Sequence, residues 1–189
     1  MKAVYASTVN HADPLAALAV GEQPEPQARP FWSTVSVRAV TVNHHDVWSL
    51  QGVGLAAEQT PMILGTDAVG ILDKAGSEVV LYTFVGADGA GVAPGERRTI
   101  LSEKYPGTMA EKTSVPSANV FAKPASLTTA EAAALGTSWL TAYSLLFDAA
   151  GIKPGDSVLI QGAGGGVSTA AIQLAHAAGD QAQHRHQRT

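Results

Sequence analysis

At 189 residues, with 46% hydrophobic and 15% charged side chains, the sequence has the make-up of a soluble globular protein, long enough for one domain plus part of a second. A formal net charge of -4 provides no field to gather a polyanion, which argues against nucleic acid and acidic membranes as partners. With no cysteine, disulfides, a thiolate nucleophile and sulfur-ligated metal are all excluded.

No stretch approaches ~18 uninterrupted apolar residues, and Met1 to Asn10 lacks the apolar core of a secretory signal, so the expected compartment is the cytoplasm. From Lys2 to about Val120 the chain carries the grammar of short strands. Ala3 to Tyr5, Leu15 to Val20 and Thr34 to Val42 are expected strands, divided by Gly21, Pro24, Pro26 and Pro30. In the last of them Val35, Val37, Ala39 and Thr41 form one face. Ile63 to Leu72, Glu78 to Phe84 and Met109 to Val115 continue the series, and the residues from Val85 to Pro106, rich in glycine and proline, are expected to be loop. Strands at this spacing without helices between them predict a small barrel or sandwich.

After Pro124 the pattern changes. Ser126 to Glu131 offers a hydroxyl cap followed by an acid, leading into a helix from Ala132 to Leu135. Thr137 to Ala150 places Leu140, Tyr143, Ser144 and Phe147 at helical spacing and closes at Gly151. A domain boundary is therefore expected near residue 125, with domains at 1–125 and 126–179.

Lys153 to Asp156 forms a turn, and Ser157 to Gln161 reads as a short buried strand of the parallel type. Gly162, Ala163, Gly164, Gly165, Gly166, Val167 and Ser168 follow, opening a helix through Ala175. Glycines in that setting let the backbone approach a diphosphate, whose charge rests on free amides at the helix start. Ser168 stands where the strict pattern has a closing glycine, and is small enough for close packing of helix on strand. A glycine-rich turn of purely structural use is the alternative.

Together these segments resemble the medium-chain dehydrogenase/reductase superfamily, in its zinc-independent, quinone oxidoreductase-like and alcohol dehydrogenase-like branch. The resemblance is carried by Val42 to Trp48, Leu64 to Gly70, Glu131 to Leu135, Leu140 to Tyr143 and Lys153 to Ala175, all in family order. It implies a mixed α+β and α/β chain, a GroES-like β-barrel followed by the first β-α unit of a Rossmann fold. It further implies NADPH, or NADH, as cofactor and hydride transfer to or from a small carbonyl, quinone or enone, with the proton supplied by solvent or a cleft side chain.

In zinc-dependent relatives the positions matching Asn43 and Thr66 are cysteine and histidine ligands, so the resemblance implies chemistry without zinc. It also implies that Asn43 and Trp48 line the substrate pocket and that Thr141 lies beside the nicotinamide. His44 and His45 are candidates for a cleft-lining or proton-carrying role, with ordinary packing as the alternative. On a strand their side chains would point to opposite faces and could not easily share one ion, unless the chain turns there. Asp46 is expected to order the backbone of this turn.

A dinucleotide site continues into a second parallel strand ending in a cofactor-selecting residue, about 20 residues past the glycines. Gly179 to Thr189 instead has no β-branched run, and three of the six histidines fall between His176 and His186. Residues 180–189 are expected to be a polar tail outside the family pattern, unable to form a buried strand. The chain is accordingly expected to be a C-terminally truncated member with impaired activity, missing the segment through which the family usually forms homodimers. The alternative is a non-catalytic binding or oligomerisation module, with the edge of Ser157 to Ile160 and the Ile172–Leu174 helix face as its interface.

Overall fold

The computed structural model describes residues 1–86, 88–91 and 97–179, and the backbone of 181–185. Two compact units are present, Met1–Gly136 and Thr137–Thr189. In chain order the strands of the first unit are β1 (Lys2–Ala6), β2 (Leu18–Glu22), β3 (Trp32–Ala39), β4 (Met62–Ile63), β5 (Val69–Leu72), β6 (Glu78–Leu81), β7 (Phe84–Gly86), β8 (Arg98–Ile100), β9 (Lys112–Pro116) and β10 (Val120–Ala122). Helix α1 spans His44–Leu50 and α2 spans Thr129–Ala133.

A five-stranded antiparallel sheet in the order β10-β6-β5-β3-β9 accompanies a three-stranded sheet in the order β2-β1-β4. The two are stitched by a bridge between Ala3 and Ala110 and by the Val4 amide on the Met109 carbonyl at 2.8 Å. Val35, Val79, Leu81, Val85, Leu101 and Val115 fill the core of the larger sheet. Ala6, Leu50, Leu55, Met62 and Leu64 form a second cluster between α1 and the smaller sheet.

Several strands differ from the sequence expectation for local reasons. Pro14–Ala17 is a 3-10 turn and not the start of a strand. Pro14 presets the helical φ, and the Asp13 carboxylate accepts the Ala16 amide at 3.4 Å. β3 ends at Ala39 with a register shift after Val37, so Thr41 leaves the sheet altogether. The run from Glu78 to Phe84 breaks at Tyr82 and Thr83, where buried Asn119 donates to the Tyr82 and Phe84 carbonyls at 3.1 and 2.6 Å in place of a strand neighbour. The expected loop from Val85 to Pro106 contains the hairpin partner β8, paired antiparallel with β7, while Pro94 and Gly95 lie outside the described residues.

Helix α2 begins one turn earlier than expected, capped by Thr128 and closed by Glu131, whose carboxylate accepts the Thr128 amide at 2.8 Å. Ala132 and Ala133 pack with Val69 and Val80, which places α2 in the first compact unit.

The second unit contains α3 (Leu140–Tyr143), β11 (Ser157–Gln161), α4 (Gly166–Ala177) and β12 (Gln181–Arg185). Wide π-helical turns flank α3 at Leu135–Trp139 and Ser144–Ala149. They shift the helical phase, so Ala142 and Leu146 are buried while Tyr143 is 48% exposed, against the face expected from the spacing. Gly151 does end the segment, at φ +63°. Ala170, Ala171 and Ala175 of α4 pack with Ile160. Ile172 and Leu174 join that cluster instead of presenting a free face.

The tail also departs from expectation. Residues 181–185 pair parallel with β11, Ser157 opposite Gln181 through Gln161 opposite Arg185, although they lack β-branched residues. Backbone hydrogen bonding is indifferent to side-chain identity, and a parallel neighbour across a crossover helix is the standard continuation of a β-α unit.

Packing yields a stability contrast. A Cβ on Gly70 would meet the Ser36 carbonyl oxygen at a contact too short to relieve without backbone movement, whereas one on Gly164 would meet nothing within 4 Å. Gly70→Ala is expected to lower unfolding free energy by about 1–3 kcal/mol, and Gly164→Ala to change it by less than about 0.5 kcal/mol, both by urea denaturation followed by circular dichroism.

Candidate functional site

The first candidate site is a largely buried polar cluster where β3 runs out and α1 begins. Asn43 directs its Nδ2 group to Thr66 Oγ1 at 3.1 Å, Asp67 Oδ2 at 2.9 Å and Thr41 Oγ1 at 3.2 Å. Thr41 also donates to Asp67 Oδ2. Thr66 and Asp67 are 0% and 1% exposed, so the carboxylate relies on protein donors. Asn43 itself is half-buried, which brings its side chain to the edge of the cluster.

Asp46 fixes this arrangement. It is 4% exposed, and its Oδ2 accepts the Asn43 amide at 2.8 Å while Oδ1 accepts the Gly65 amide at 3.0 Å. One carboxylate thus joins the start of α1 to the residue preceding Thr66. Burial pushes its pKa above the ordinary value of 3.8; the two amides and nearby His45 pull it down, and the neighbouring Asp67 charge adds to the rise.

His44 and His45 lie in the first turn of α1 and not on a strand, so the opposite-face expectation does not hold. Consecutive helical residues diverge by about 100°. His44 is exposed, its ring centroid 6.4 Å from that of Trp48, which is 51% exposed. His45 Nε2 lies 3.4 Å from Ser49 Oγ, one turn along. Among the described residues no group of three or more histidine, aspartate or glutamate side chains is arranged to hold a metal ion. The sequence alone points to Asn43, His44, His45 and Trp48 and gives no site role to Thr41 or Asp67; the one signal for Asp67 is an acid within the mostly apolar Leu64 to Gly70 run.

The second candidate site is the loop between β11 and α4. Gly162 adopts φ +68°, and the Gly165 amide turns back to the Gly162 carbonyl at 3.0 Å. The first intrahelical bond is Thr169 N to Gly165 O at 2.9 Å, so the amides of Gly166, Val167 and Ser168 precede the helical ladder. Around Gly164 the space is open, while a Cβ on Gly166 would meet Ser138 Oγ at 2.8 Å. Gly166 is thus small for packing, and Gly164 lies at the open side. Ser168 Oγ donates to the Gln161 carbonyl at 3.1 Å and Thr169 Oγ1 to the Ala163 carbonyl at 3.3 Å, tying the helix to the loop it leaves. Ala163 and Val167 are half-buried, and Thr141 is exposed on α3.

An antiparallel β domain followed by a strand, a glycine loop and a helix is the order of elements in the medium-chain dehydrogenases and reductases. The chain belongs to the alcohol dehydrogenase GroES-like domain family, whose model matches residues 29–125. It is 36% identical over 149 residues to the synaptic vesicle membrane protein VAT-1 homolog of Rattus norvegicus, a match covering 79% of this chain and 34% of that protein. It superposes on an NAD-dependent alcohol dehydrogenase with a TM-score of 0.85 at 34% identity, over 97% of this chain and 57% of the other. The quinone oxidoreductase of Thermus thermophilus, whose structure was determined also as a complex with NADPH, gives a TM-score of 0.72 at 30% identity, over 97% and 52%. The chain therefore spans about a third to just over half of the length of these three proteins. Among the described residues no helix is long and apolar enough to cross a membrane.

The Asp46 bridge generates a prediction with a defined sign. A carboxyl whose folded pKa is raised binds more protons folded than unfolded, so its contribution to stability declines as pH rises from 3.8 through the folded value. Asp46→Asn turns an N–H2 group toward one of the two amides and is expected to cost about 1–3 kcal/mol. The gap between native protein and variant is expected to be widest on the acid side and to narrow with rising pH, measured by urea unfolding between acid and neutral pH.

Proposed function

We propose that this chain forms the substrate-side and first cofactor-gripping parts of an oxidoreductase that uses NADPH, or NADH, and works without zinc. The observation that carries the reading is the open loop at Gly164, backed by three amides with no helical partner. Such a loop fits a diphosphate, because the amides and the helix dipole favour negative charge while the glycines leave room for it. Gly162, Ala163, Gly164, Gly165, Gly166, Val167 and Ser168 would hold the diphosphate, and Thr141 would lie near the nicotinamide. The cofactor supplies a hydride for a carbonyl, quinone or enone, or accepts one in reverse.

Asn43 and Thr66 occupy the positions that carry metal ligands in zinc-dependent relatives, and here they bond to each other at 3.1 Å. An amide nitrogen and a hydroxyl are poor ligands for zinc, so the cluster is suited to orient substrate instead. The amide oxygen of Asn43 can accept a hydrogen bond from a substrate hydroxyl. Trp48 provides an apolar wall beside it on α1, and the exposed imidazole of His44 can carry a proton to or from solvent. We place this activity in the cytoplasm, on small molecules rather than nucleic acid or membrane.

A second reading is favoured by one observation. Leu159 on β11 is 67% exposed, which suits a non-catalytic module that pairs this sheet with another chain. A monodisperse monomer by light scattering would count against it.

Binding of NADPH to the 189-residue chain, followed by nucleotide fluorescence, is expected to be weakened at least about tenfold by Gly164→Asp, which sets a carboxylate against the incoming anion without disturbing the melting temperature. Equal affinity for both proteins would sink the loop assignment. Reduction of a test quinone is expected to be unchanged after dialysis against EDTA, and a loss restored by zinc would overturn the metal-free reading.

A further inference from the structure

A cavity of about 360 Å³ opens on the first unit, lined by none of the residues assigned above. Its apolar walls are Pro24, Pro26, Pro61, Pro106, Ile63 and the Trp32 indole, and a proline has its φ already fixed. Trp32 is itself anchored, its Nε1 donating to the Gly89 carbonyl at 2.7 Å and its ring 5.1 Å from that of Tyr105. Walls of this kind need little reordering to receive a ligand, and the volume falls in the range of small-molecule sites.

The charges at the lining do not balance. Lys112 is paired with Glu25 at 3.2 Å, and the Met1 ammonium with Glu22 at 2.9 Å. Arg29 is different. Its guanidinium carbon rests 5.0 Å from the Trp32 ring centre and 5.3 Å from that of Tyr105, held by the ring faces. A contact through the ring faces uses none of its N–H donors, and none of those donors has a partner among the described residues. A guanidinium placed against the Trp32 wall of an apolar cavity, with its donors unpaired, can take both oxygens of one carboxylate.

We propose that this cavity is a binding site for a small monocarboxylate with a flat apolar body, separate from the cofactor loop and the Asn43 cluster. The carboxylate meets Arg29 in a bidentate pair, and the body lies between the proline walls and Trp32. A second negative charge on the ligand would find no free cation at the lining, since Lys112 already faces Glu25.

The probe is 2-naphthoate, with neutral 2-naphthamide as its charge-free counterpart, titrated into the full 189-residue chain by calorimetry. Naphthoate is expected to bind at least tenfold more tightly than the amide and to shift the Trp32 indole N–H resonance, assigned with Trp32→Phe. Arg29→Gln is expected to remove that preference while leaving the melting temperature unchanged, because Arg29 is exposed. Ser114→Trp, which fills the cavity from β9, is expected to abolish binding of both compounds, and serves as the independent variant should Arg29→Gln fold poorly. Equal affinity of naphthoate and the amide, an undiminished response in either variant, or no binding at millimolar probe would overturn the proposal.

Discussion

The first unit depends on one carboxylate with two backbone partners. Asp46 is almost wholly buried, and its two oxygens are taken up by the amides of Asn43 and Gly65. A buried charge is costly unless it is fully hydrogen-bonded, and hydrogen bonds to an ionised group are the strong kind. The same bonds settle where two separate stretches of chain meet. Asn43 begins α1, Gly65 precedes Thr66, and the side chains of Asn43 and Thr66 then come within hydrogen-bond reach.

Asp67, the second acid of this region, is treated differently. Its Oδ2 accepts from Asn43 and Thr41, and its main-chain carbonyl accepts from Thr108 at 2.8 Å. Placing two carboxylates near one another in a dry interior is unfavourable, and the Asp67 charge raises the proton affinity of Asp46. The compensation is a set of donors drawn from separate segments of the chain. A cluster built this way is rigid because no member can turn without leaving another unsatisfied. Rigidity is what a site needs if it positions a substrate by hydrogen bonds instead of by a metal.

In the second unit the governing constraint is close approach. Alanines at 170, 171 and 175 let α4 settle on β11, and Gly166 leaves room for the Ser138 hydroxyl. Ser168 contributes a hydroxyl bond to the end of the strand, which a glycine at that position could not make. The loop held between these contacts has only Gly162 in the left-handed region, and its open side is at Gly164.

Composition and spacing were sufficient for the parts of the molecule set by local physics. Short strands bounded by glycine and proline, the capping pair Thr128 and Glu131, the closing Gly151 and the strand–glycine–helix order around Gly162 are all encoded within a few residues of where they act. The cleft candidates Asn43, His44, His45 and Trp48 came from family likeness, and the helix that carries them was not visible, because β-branched Val40 to Val42 continues the strand pattern past its true end. The break at Tyr82 depends on Asn119, far away in sequence, and the Asp46 bridge depends on Gly65. The strand at 181–185 is placed by its parallel backbone register with β11, 157–161, a partner some twenty residues earlier in the chain. Local propensity acts over a few residues, whereas a buried polar group takes whichever donor the folded chain brings to it, and only the tertiary structure decides which donor that is.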